Sequence, residues 1–242
     1  MKKLILVLAG CLATVFVNTT QAQDKAYWVS ASEFIFSGGD VEATTGGLYP
    51  VGIDVNPIVR FSGFFHFQSQ FHADFNKSIG IYTGVGIRNV GMINELNDSL
   101  KVKQRVYSLG VPLALKIGSM PNRFYVALGG EAELFFHYKQ KIFYDDEKFK
   151  QNEWFSDKVN LFNPSVFMDI HFNKGAYIKF KYYLFDFLQE DNQNIRFDGK
   201  VFDYYPSESK MFYVSIGTTM RSMSPKSKRK KVVSPVNTTG AY

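Results

Sequence analysis

The feature that most constrains this chain is a two-residue alternation of side-chain polarity that continues for unusually long stretches. Side chains alternate in polarity across residues 102–117, with large apolar residues at every second position from Tyr107 to Ile117 and mostly small or polar residues between them. Residues 124–139 repeat the pattern. Each stretch holds 16 residues, whereas globular strands usually have about 5–6. Strands of this length are typical of barrels that cross a bilayer at a tilt, where about 9–11 residues of each strand lie in lipid.

Eight such segments are predicted, at residues 28–37, 59–75, 78–93, 102–117, 123–140, 162–172, 176–188 and 209–220. Very short turns are predicted at Asn76-Lys77, Ser119–Asn122 and Asn173-Lys174-Gly175, and longer polar stretches at 38–58, 94–101, 141–161 and 189–208. Short turns at one end and long loops at the other are the pattern of an outer-membrane barrel whose turns are periplasmic. The sequence therefore predicts an all-β fold: an eight-stranded antiparallel, up-and-down transmembrane β-barrel with extracellular loops and both termini in the periplasm.

The first 22 residues have the composition of an export signal. Lys2 and Lys3 precede an apolar run at Leu4–Val17, and Thr20-Gln21-Ala22 supplies a small-x-small cleavage site. The run has 14 residues, too few to span a bilayer as a helix. A lipoprotein signal ending at Cys11 is the alternative, but the apolar run continues past that residue. Because Cys11 is the only cysteine, the exported chain is expected to contain no disulfide and no thiolate site.

Positive charge is concentrated at the C-terminus. Of the formal net charge of +6, residues 221–242 supply six Lys or Arg side chains and no acid, and Lys2 and Lys3 supply two more, so residues 23–220 carry −2. The basic pI therefore does not describe the folded domain, and no nucleic-acid partner is expected. The predicted organisation is a signal peptide at 1–22, an outer-membrane barrel at 23–220 and a disordered basic periplasmic tail at 221–242.

Several segments resemble a known family. The opening strand Ser32–Ser37, the Arg88–Gly91 segment, Tyr107–Lys116 and Lys179–Leu184 together resemble the outer-membrane β-barrel-domain proteins of Bacteroidetes, loosely termed PorT-like. The resemblance covers residues 28–220 and implies an eight-stranded barrel in the outer membrane, mostly of unassigned activity. It carries over no catalytic residue.

Assigning the more apolar face of each strand to lipid leaves a polar interior. Its charged members are five carboxylates and five Lys or Arg side chains: Glu33, Asp74, Glu131, Glu133, Asp169, Arg60, Arg88, Lys116, Lys179 and Lys181. Because an eight-stranded barrel has an interior just wide enough for side chains to fill it, this balanced set predicts a paired structural plug. A narrow ion path lined by the same residues is the alternative.

The outward face is predicted to be apolar, with aromatic residues near the strand ends as at the two membrane interfaces. These aromatic residues are Phe75, Phe124 and Phe172 near the short turns, and Tyr107, Phe136 and Tyr138 near the loops. A soluble lipocalin-like barrel would place the same apolar face inside. In that soluble arrangement, large Phe side chains would crowd the centre of the barrel, and the small, Gly-rich and charged face would lie outside. The transmembrane interpretation is therefore favoured.

Residues with catalytic potential are few. The four histidines, at inward or rim positions, are His66, His72, His137 and His171. Hydrogen bonding is favoured over metal binding for them, because no ligand spacing is present. The pair His72 and Asp74, with Ser108 or Ser165, would supply the groups of a lipid A-modifying barrel enzyme. No catalytic, cofactor-binding or metal-binding residue is assigned.

The predicted function is that of a small plugged outer-membrane barrel, not an enzyme, whose loops serve a binding, structural or assembly role. Outer-membrane lipid and lipopolysaccharide are the expected partners, with a protein partner possible through the long loops and no cofactor. A lipid A-modifying barrel enzyme and a narrow pore are the alternatives.

Overall fold

The computed structural model describes residues 26–44, 52–97, 100–144, 147–189, 195–197, 200–202 and 205–221. The predicted signal peptide, its lipoprotein alternative and the basic tail beyond Arg221 lie outside the described residues. The described ranges contain no helix long and apolar enough to cross a membrane.

The described residues form fourteen β-strands. They are β1 (Ala26–Thr44), β2 (Gly52–Ile53), β3 (Asn56–Ile58), β4 (Arg60–Ser62), β5 (Phe67–Asp74), β6 (Ile79–Asn97), β7 (Leu100–Ser119), β8 (Phe124–Tyr144), β9 (Glu147–Trp154), β10 (Phe162–His171), β11 (Ala176–Tyr183), β12 (Ile195–Phe197), β13 (Lys200–Phe202) and β14 (Tyr205–Arg221).

Eight of these strands close into a ring. Each pairs antiparallel with its neighbours, in the order β1, β5, β6, β7, β8, β10, β11 and β14, and β14 pairs with β1 to complete the circle. The short strand β4 continues the line of β5 along β1, and β9 pairs with β8 beyond its contact with β10. The predicted all-β, eight-stranded antiparallel, up-and-down barrel is therefore confirmed.

The end of the barrel that carries the short turns is termed the turn end, and the opposite end the loop end. Connections of four residues span 75–78, 120–123 and 172–175 at the turn end. In the first, Oδ1 of Asn76 accepts hydrogen bonds from the backbone N–H groups of Ser78 and Ile79, at 2.7 and 2.8 Å. Side-chain bonding of this kind stabilises tight turns. The first ring strand also begins, and the last ring strand ends, at the turn end, where Val29 pairs with Arg221.

The loop end is more regular than the sequence predicts. A polar loop is predicted at 94–101, but β6 continues to Asn97 and β7 begins at Leu100, so that prediction is wrong. The predicted loop at 141–161 likewise holds the end of β8 and the whole of β9. Polar residues in these stretches alternate with buried apolar ones such as Leu96, Leu100 and Ile142. They form the outer face of longer strands, not loops.

The second predicted strand is interrupted. Gly63–His66 bulge out between β4 and β5, and Phe65 has a φ of 66°. Two side chains complete the ladder at the gap: Nη1 of Arg60 donates to the carbonyl oxygen of Asn89 at 3.1 Å, and the N–H of Asn89 donates to Nδ1 of His66 at 3.2 Å. These side chains replace backbone hydrogen bonds that the interrupted strand does not make.

A β-bulge on β8 reverses which side chains face outward. Phe136 is the extra residue where the register between β7 and β8 shifts. Beyond it, Tyr138 faces the interior and is 1% exposed, whereas the ring of His137 faces outward and stacks on Trp154 with centroids 4.4 Å apart. The predicted outward position of Tyr138 is therefore wrong, and His137 lies outside rather than in the lumen. Alternation alone does not reveal an inserted residue.

Candidate functional site

Nine of the ten predicted interior charges lie in the lumen, in the half nearer the turn end. This charged layer consists of Glu33, Asp74, Arg88, Lys116, Glu131, Glu133, Asp169, Lys179 and Lys181. The tenth, Arg60, is buried at the strand break and bonds to Asn89 instead of to a carboxylate. Asp74 is less enclosed than the others, with its side chain 13% exposed.

Arg88 is the centre of the charged layer. Its Nε lies 2.7 Å from Oε1 of Glu33, and its Nη1 contacts Oε1 of Glu131. Oε2 of Glu33 accepts hydrogen bonds from the hydroxyls of Ser215 at 2.6 Å and Tyr177 at 3.3 Å. Arg88 is 1% exposed. Its charge is therefore balanced by carboxylates and not by solvent.

Lys181 connects the carboxylate of Glu131 to that of Glu133. Its Nζ lies 2.7 Å from Oε2 of Glu131 and contacts Oε1 of Glu133. The hydroxyl of Tyr183 donates to Glu133 at 3.0 Å. Charges from β1, β6, β8 and β11 are thus connected across the lumen. A single buried charge without these partners would cost several kcal/mol.

Two further ion pairs lie in the charged layer. Asp169 and Lys179 are cross-strand partners on β10 and β11, with Oδ1 and Nζ 3.6 Å apart, and the hydroxyl of Tyr82 donates to Asp169. Nζ of Lys116 contacts Asp74 and lies 3.1 Å from Nδ1 of His72. Each buried lysine of these pairs therefore has a carboxylate beside it.

Histidine and glutamine side chains complete the polar lining. Nε2 of His72 lies 2.9 Å from Oε1 of Gln70, and Nε2 of Gln70 donates to Oε1 of Gln68 at 2.6 Å. Nε2 of His171 lies 3.7 Å from Oδ2 of Asp169. The contacts among Gln68, Gln70 and His72 form a continuous polar chain along β5.

Glycines and aromatic rings shape the space around the charges. A Cβ atom at Gly110 would overlap the carboxylate of Glu131, so the small residue makes room for that side chain. Nζ of Lys179 lies 4.7 Å from the ring centroid of Phe167. A ring face at this distance adds a favourable electrostatic contact to a desolvated ammonium group. The charged layer is therefore packed as well as paired.

The half of the lumen nearer the loop end is filled by an apolar core that the sequence analysis does not anticipate. Its fully or almost fully buried members include Ile35, Val41, Val90, Met92, Leu96, Leu100, Val102, Val106, Phe135, Tyr138, Ile142, Val159, Tyr183, Phe187, Leu188, Met211 and Tyr213. The signal was present, because buried apolar residues keep the alternation of β6, β7 and β8 through the stretches assigned to loops. These residues leave the loop end of the lumen closed by packed side chains.

The segment after β11 contributes to this core. Residues 176–188 are predicted as one strand, but β11 ends at Tyr183 and the chain then turns across the loop end. The N–H of Phe187 donates to the carbonyl oxygen of Ser209 at 2.8 Å, and the N–H of Leu188 donates to Oγ of Ser209 at 2.9 Å. This anchoring directs both apolar side chains inward, where they are buried.

Outside, the half nearer the turn end carries a belt of exposed apolar side chains. On β7, alternate residues are 39% to 62% exposed: Leu109, Val111, Leu113, Leu115 and Ile117. Exposed Phe75, Phe124 and Phe172 surround the turn end as predicted. At the other edge of the belt lies an aromatic row of stacked or edge-on rings: Phe65, Tyr107, Phe136, His137 and Trp154.

The groups weighed for lipid-modifying catalysis are not brought together. The cross-strand partners of His72 and Ser108 on β6 are Tyr82 and Arg88. These partners are six residues apart, about 20 Å along a strand. Ser165 donates its hydroxyl hydrogen to the carbonyl oxygen of Glu131 at 3.2 Å. Across the described ranges, no three His, Cys, Asp or Glu side chains are grouped so as to hold a metal ion.

Three solved structures are similar to this fold at low scores. Ail, the attachment invasion locus protein of Yersinia pestis, solved with the heparin analogue sucrose octasulfate, is 15% identical over 79% of this chain and 99% of its own, with a TM-score of 0.33. Neisserial surface protein A is 12% identical over 81% and 97%, with a TM-score of 0.34. The outer membrane protein OprG of Pseudomonas aeruginosa is 9% identical over 82% and 97%, with a TM-score of 0.36.

No family model matches the sequence, and no curated protein matches it. The PorT-like resemblance therefore stays a prediction. What the residues of this chain establish is the fold itself: a closed, eight-stranded antiparallel β-barrel with a filled lumen and an apolar belt.

Proposed function

We propose that this chain is a small, closed outer-membrane barrel that binds or assembles at the cell surface and does not conduct ions or catalyse a reaction. The observation that carries the proposal is the distribution of polarity around the ring strands. Large apolar side chains such as Leu113 and Phe67 are exposed on the outside, while Arg88, Lys179 and Glu133 are buried inside. A water-soluble barrel would reverse this arrangement. A lipid environment explains both faces at once.

Two layers of packed side chains favour a closed lumen rather than a narrow pore. The charged layer fills the half nearer the turn end with paired groups, and the apolar core fills the half nearer the loop end. A hydrated ion path would need to pass side chains that are buried at both levels, such as Lys179 and Phe135. An eight-stranded barrel has little room for such a path.

A non-catalytic role is supported by how the candidate catalytic groups are used. His72 bonds to Gln70 and lies beside Lys116, and Asp74 contacts the same lysine. These are the contacts of a structural network. A lipid A-modifying enzyme is the second candidate, and it is supported only by the presence of His, Asp and Ser residues in the barrel strands.

Location is tested by fractionating cells and comparing the gel migration of unboiled and boiled protein. We expect an outer-membrane band whose mobility changes on boiling, because folded barrels of this kind resist unfolding in detergent until heated. A soluble periplasmic protein would contradict the proposal.

Closure of the lumen is tested by reconstituting the full chain into planar bilayers. We expect no steady conductance from the unmodified protein. Large open-channel currents would contradict a closed lumen without bearing on the location of the protein.

A further inference from the structure

One charged surface is not explained by the filled lumen. It lies on the outside of the loop-end half, where β7, β8 and β9 extend past the aromatic row. We term it the basic face, and its members are Lys101, Lys103, Arg105, Lys139, Lys141, Lys148 and Lys150. All seven side chains are partly or fully exposed. They come from three strands, yet the register places them on one surface.

The cations of the basic face lie directly opposite one another. Arg105 is the cross-strand partner of Lys139, and Lys141 is the partner of Lys103 on one side and of Lys150 on the other. Like charges directly opposite in a sheet destabilise it. Burial, together with the positive charges of neighbours that include Arg105, lowers the pKa of both Lys103 and Lys141.

Within the part of the chain that the structure describes, few groups neutralise this charge. Among the described residues, the ion pair recorded for the basic face is that of Lys101 with Glu95, whose Nζ and Oε1 are 2.6 Å apart. Nε of Arg105 is buried and has no hydrogen-bond partner there. The opposite side of the loop end carries exposed acids instead: Asp40, Glu42 and Glu208. Positive charge is therefore concentrated on one side of the barrel.

The aromatic row indicates where the basic face lies relative to the bilayer. Tyr107 and His137 belong to that row, and Arg105 and Lys139 lie two residues nearer the loop end on β7 and β8. Two residues of a strand span about 7 Å. Nζ of Lys139 lies 5.5 Å from the ring centroid of Tyr107. Aromatic rings mark the interface of a bilayer, so the cations beyond them lie at the level of the lipid headgroups.

We propose that the basic face binds the phosphate groups of glycolipid headgroups in the leaflet around the loop end. The face points sideways from the barrel, toward surrounding lipid, and begins just beyond the apolar belt. Phosphate groups supply the charge that the protein leaves unbalanced at Arg105, Lys103 and Lys141. This inference rests on the proposed membrane location and adds a partner and a site to it.

The test measures binding of bis-phosphorylated lipid A to the folded full chain in a neutral detergent. The test variant is Lys103→Gln/Lys141→Gln. The control is Lys77→Gln/Lys174→Gln, which removes the same charge at the turn end. Because a Lys near an anionic surface contributes about fivefold in affinity, we expect the test variant to bind about 25-fold more weakly. The control should bind like the unmodified chain.

Three further measurements identify what the face recognises. Lipid A without phosphates should bind the unmodified chain far more weakly than the bis-phosphorylated form. When the chain is reconstituted in vesicles that contain bis-phosphorylated lipid A, added heparin should compete poorly, because the face there points along the bilayer. In the absence of lipid, Lys103→Gln/Lys141→Gln should unfold at a higher denaturant concentration than the unmodified chain, since it relieves repulsion. A merely structural role for these lysines would give the opposite shift.

Equal binding by the two double variants would overturn the proposal, as would equal binding of the two lipid A forms. Heparin competing as well as lipid A would assign the face to a soluble polyanion and overturn the lipid partner. Boiled and unboiled gel migration of the same preparations reports separately on the barrel. If the protein is heat-modifiable but binds both lipid A forms equally, only the lipid site is refuted. A chain that is soluble without detergent refutes the membrane location and, with it, the lipid site.

Discussion

The two halves of this barrel use the same strands with opposite polarity. Toward the turn end, Val111 and its neighbours expose apolar side chains outward while Arg88 and Glu131 are buried inside. Toward the loop end, the lumen holds Val106 and Phe135, and Lys103 and other charged side chains face outward. Along β7 the alternation continues through both halves, but in the proposed membrane location the medium outside changes from lipid hydrocarbon to hydrated headgroups and water. A strand can therefore serve as a membrane strand and as a soluble one within about 20 residues.

Structural irregularities lie where the two halves meet. The bulge at Phe136, the strand break at Gly63–His66 and the aromatic row are all found at this level. Bulges redirect side chains and increase local twist. On β8, the inserted residue moves Tyr138 into the lumen and Lys139 to the outside, which is the change in polarity that the passage from lipid to water requires.

The largest effect is expected from removing the central cation of the charged layer. Arg88→Leu removes the cation that contacts Glu33 and leaves Glu131 and Glu133 to share Lys181. It should lower the free energy of unfolding by about 3–5 kcal/mol. Urea unfolding in lipid vesicles measures this. The double variant Arg88→Leu/Glu131→Leu should recover part of the loss, because it removes one of the unbalanced carboxylates. A loss below about 1 kcal/mol in the single variant would mean that these charges are solvated.

The loop-end half should depend on apolar packing instead. Phe135→Ala removes a buried ring from the apolar core and should cost about 3–5 kcal/mol. Its neighbour Leu134 points outward, so Leu134→Ala is the matched control and should cost much less. Unfolding curves of the two variants make the comparison. Similar losses in both would mean that the lumen of this half is loosely packed.

A charge placed on the outer face should distinguish the two halves. Val111→Arg should destabilise the barrel by about 2–4 kcal/mol, because the side chain would lie in the apolar belt. Ser207→Arg, on the exposed outer side of β14 near the loop end, should change stability by less than about 0.5 kcal/mol. Urea titration of both variants in vesicles provides the measurement. Equal tolerance of arginine at the two positions would remove the distinction between lipid-facing and water-facing surfaces.

The smallest perturbation tests orientation. Cysteine at position 148 lies at the loop end and cysteine at position 174 at the turn end. In intact cells, a membrane-impermeant thiol reagent should label Lys148→Cys and leave Lys174→Cys unlabelled. The reverse pattern would place the basic face in the periplasm and exchange the two leaflets in this account.

Much of the turn-end half could be predicted from the sequence, because two of its properties are local. Side-chain alternation identifies the ring strands, and turn residues such as Asn76 identify their connections. The interior position of Glu131 or Lys179 follows from the parity of its strand. Which carboxylate contacts which cation does not follow, since that depends on the stagger between strands from distant parts of the chain.

The loop-end half was harder to predict for a physical reason. Polar residues on the outer face of an extended strand resemble loop residues in sequence, so the sequence predicts a loop at 94–101. The parity change at Phe136 depends on one inserted residue. The basic face gains Lys150 through the pairing of β8 with β9, a strand that lies inside the predicted loop at 141–161.

The most direct test of the polarity reversal is a scan of spin labels along β7. Single cysteines are introduced at each position from 101 to 117, and the accessibility of each label to oxygen and to a polar nickel chelate is measured in vesicles. We expect odd positions from 109 to 117 to be accessible to oxygen, odd positions from 101 to 105 to be accessible to the chelate, and even positions to be protected from both. Chelate access at odd positions throughout would indicate a soluble barrel, and chelate access at even positions would indicate a water-filled lumen; either result would contradict the account.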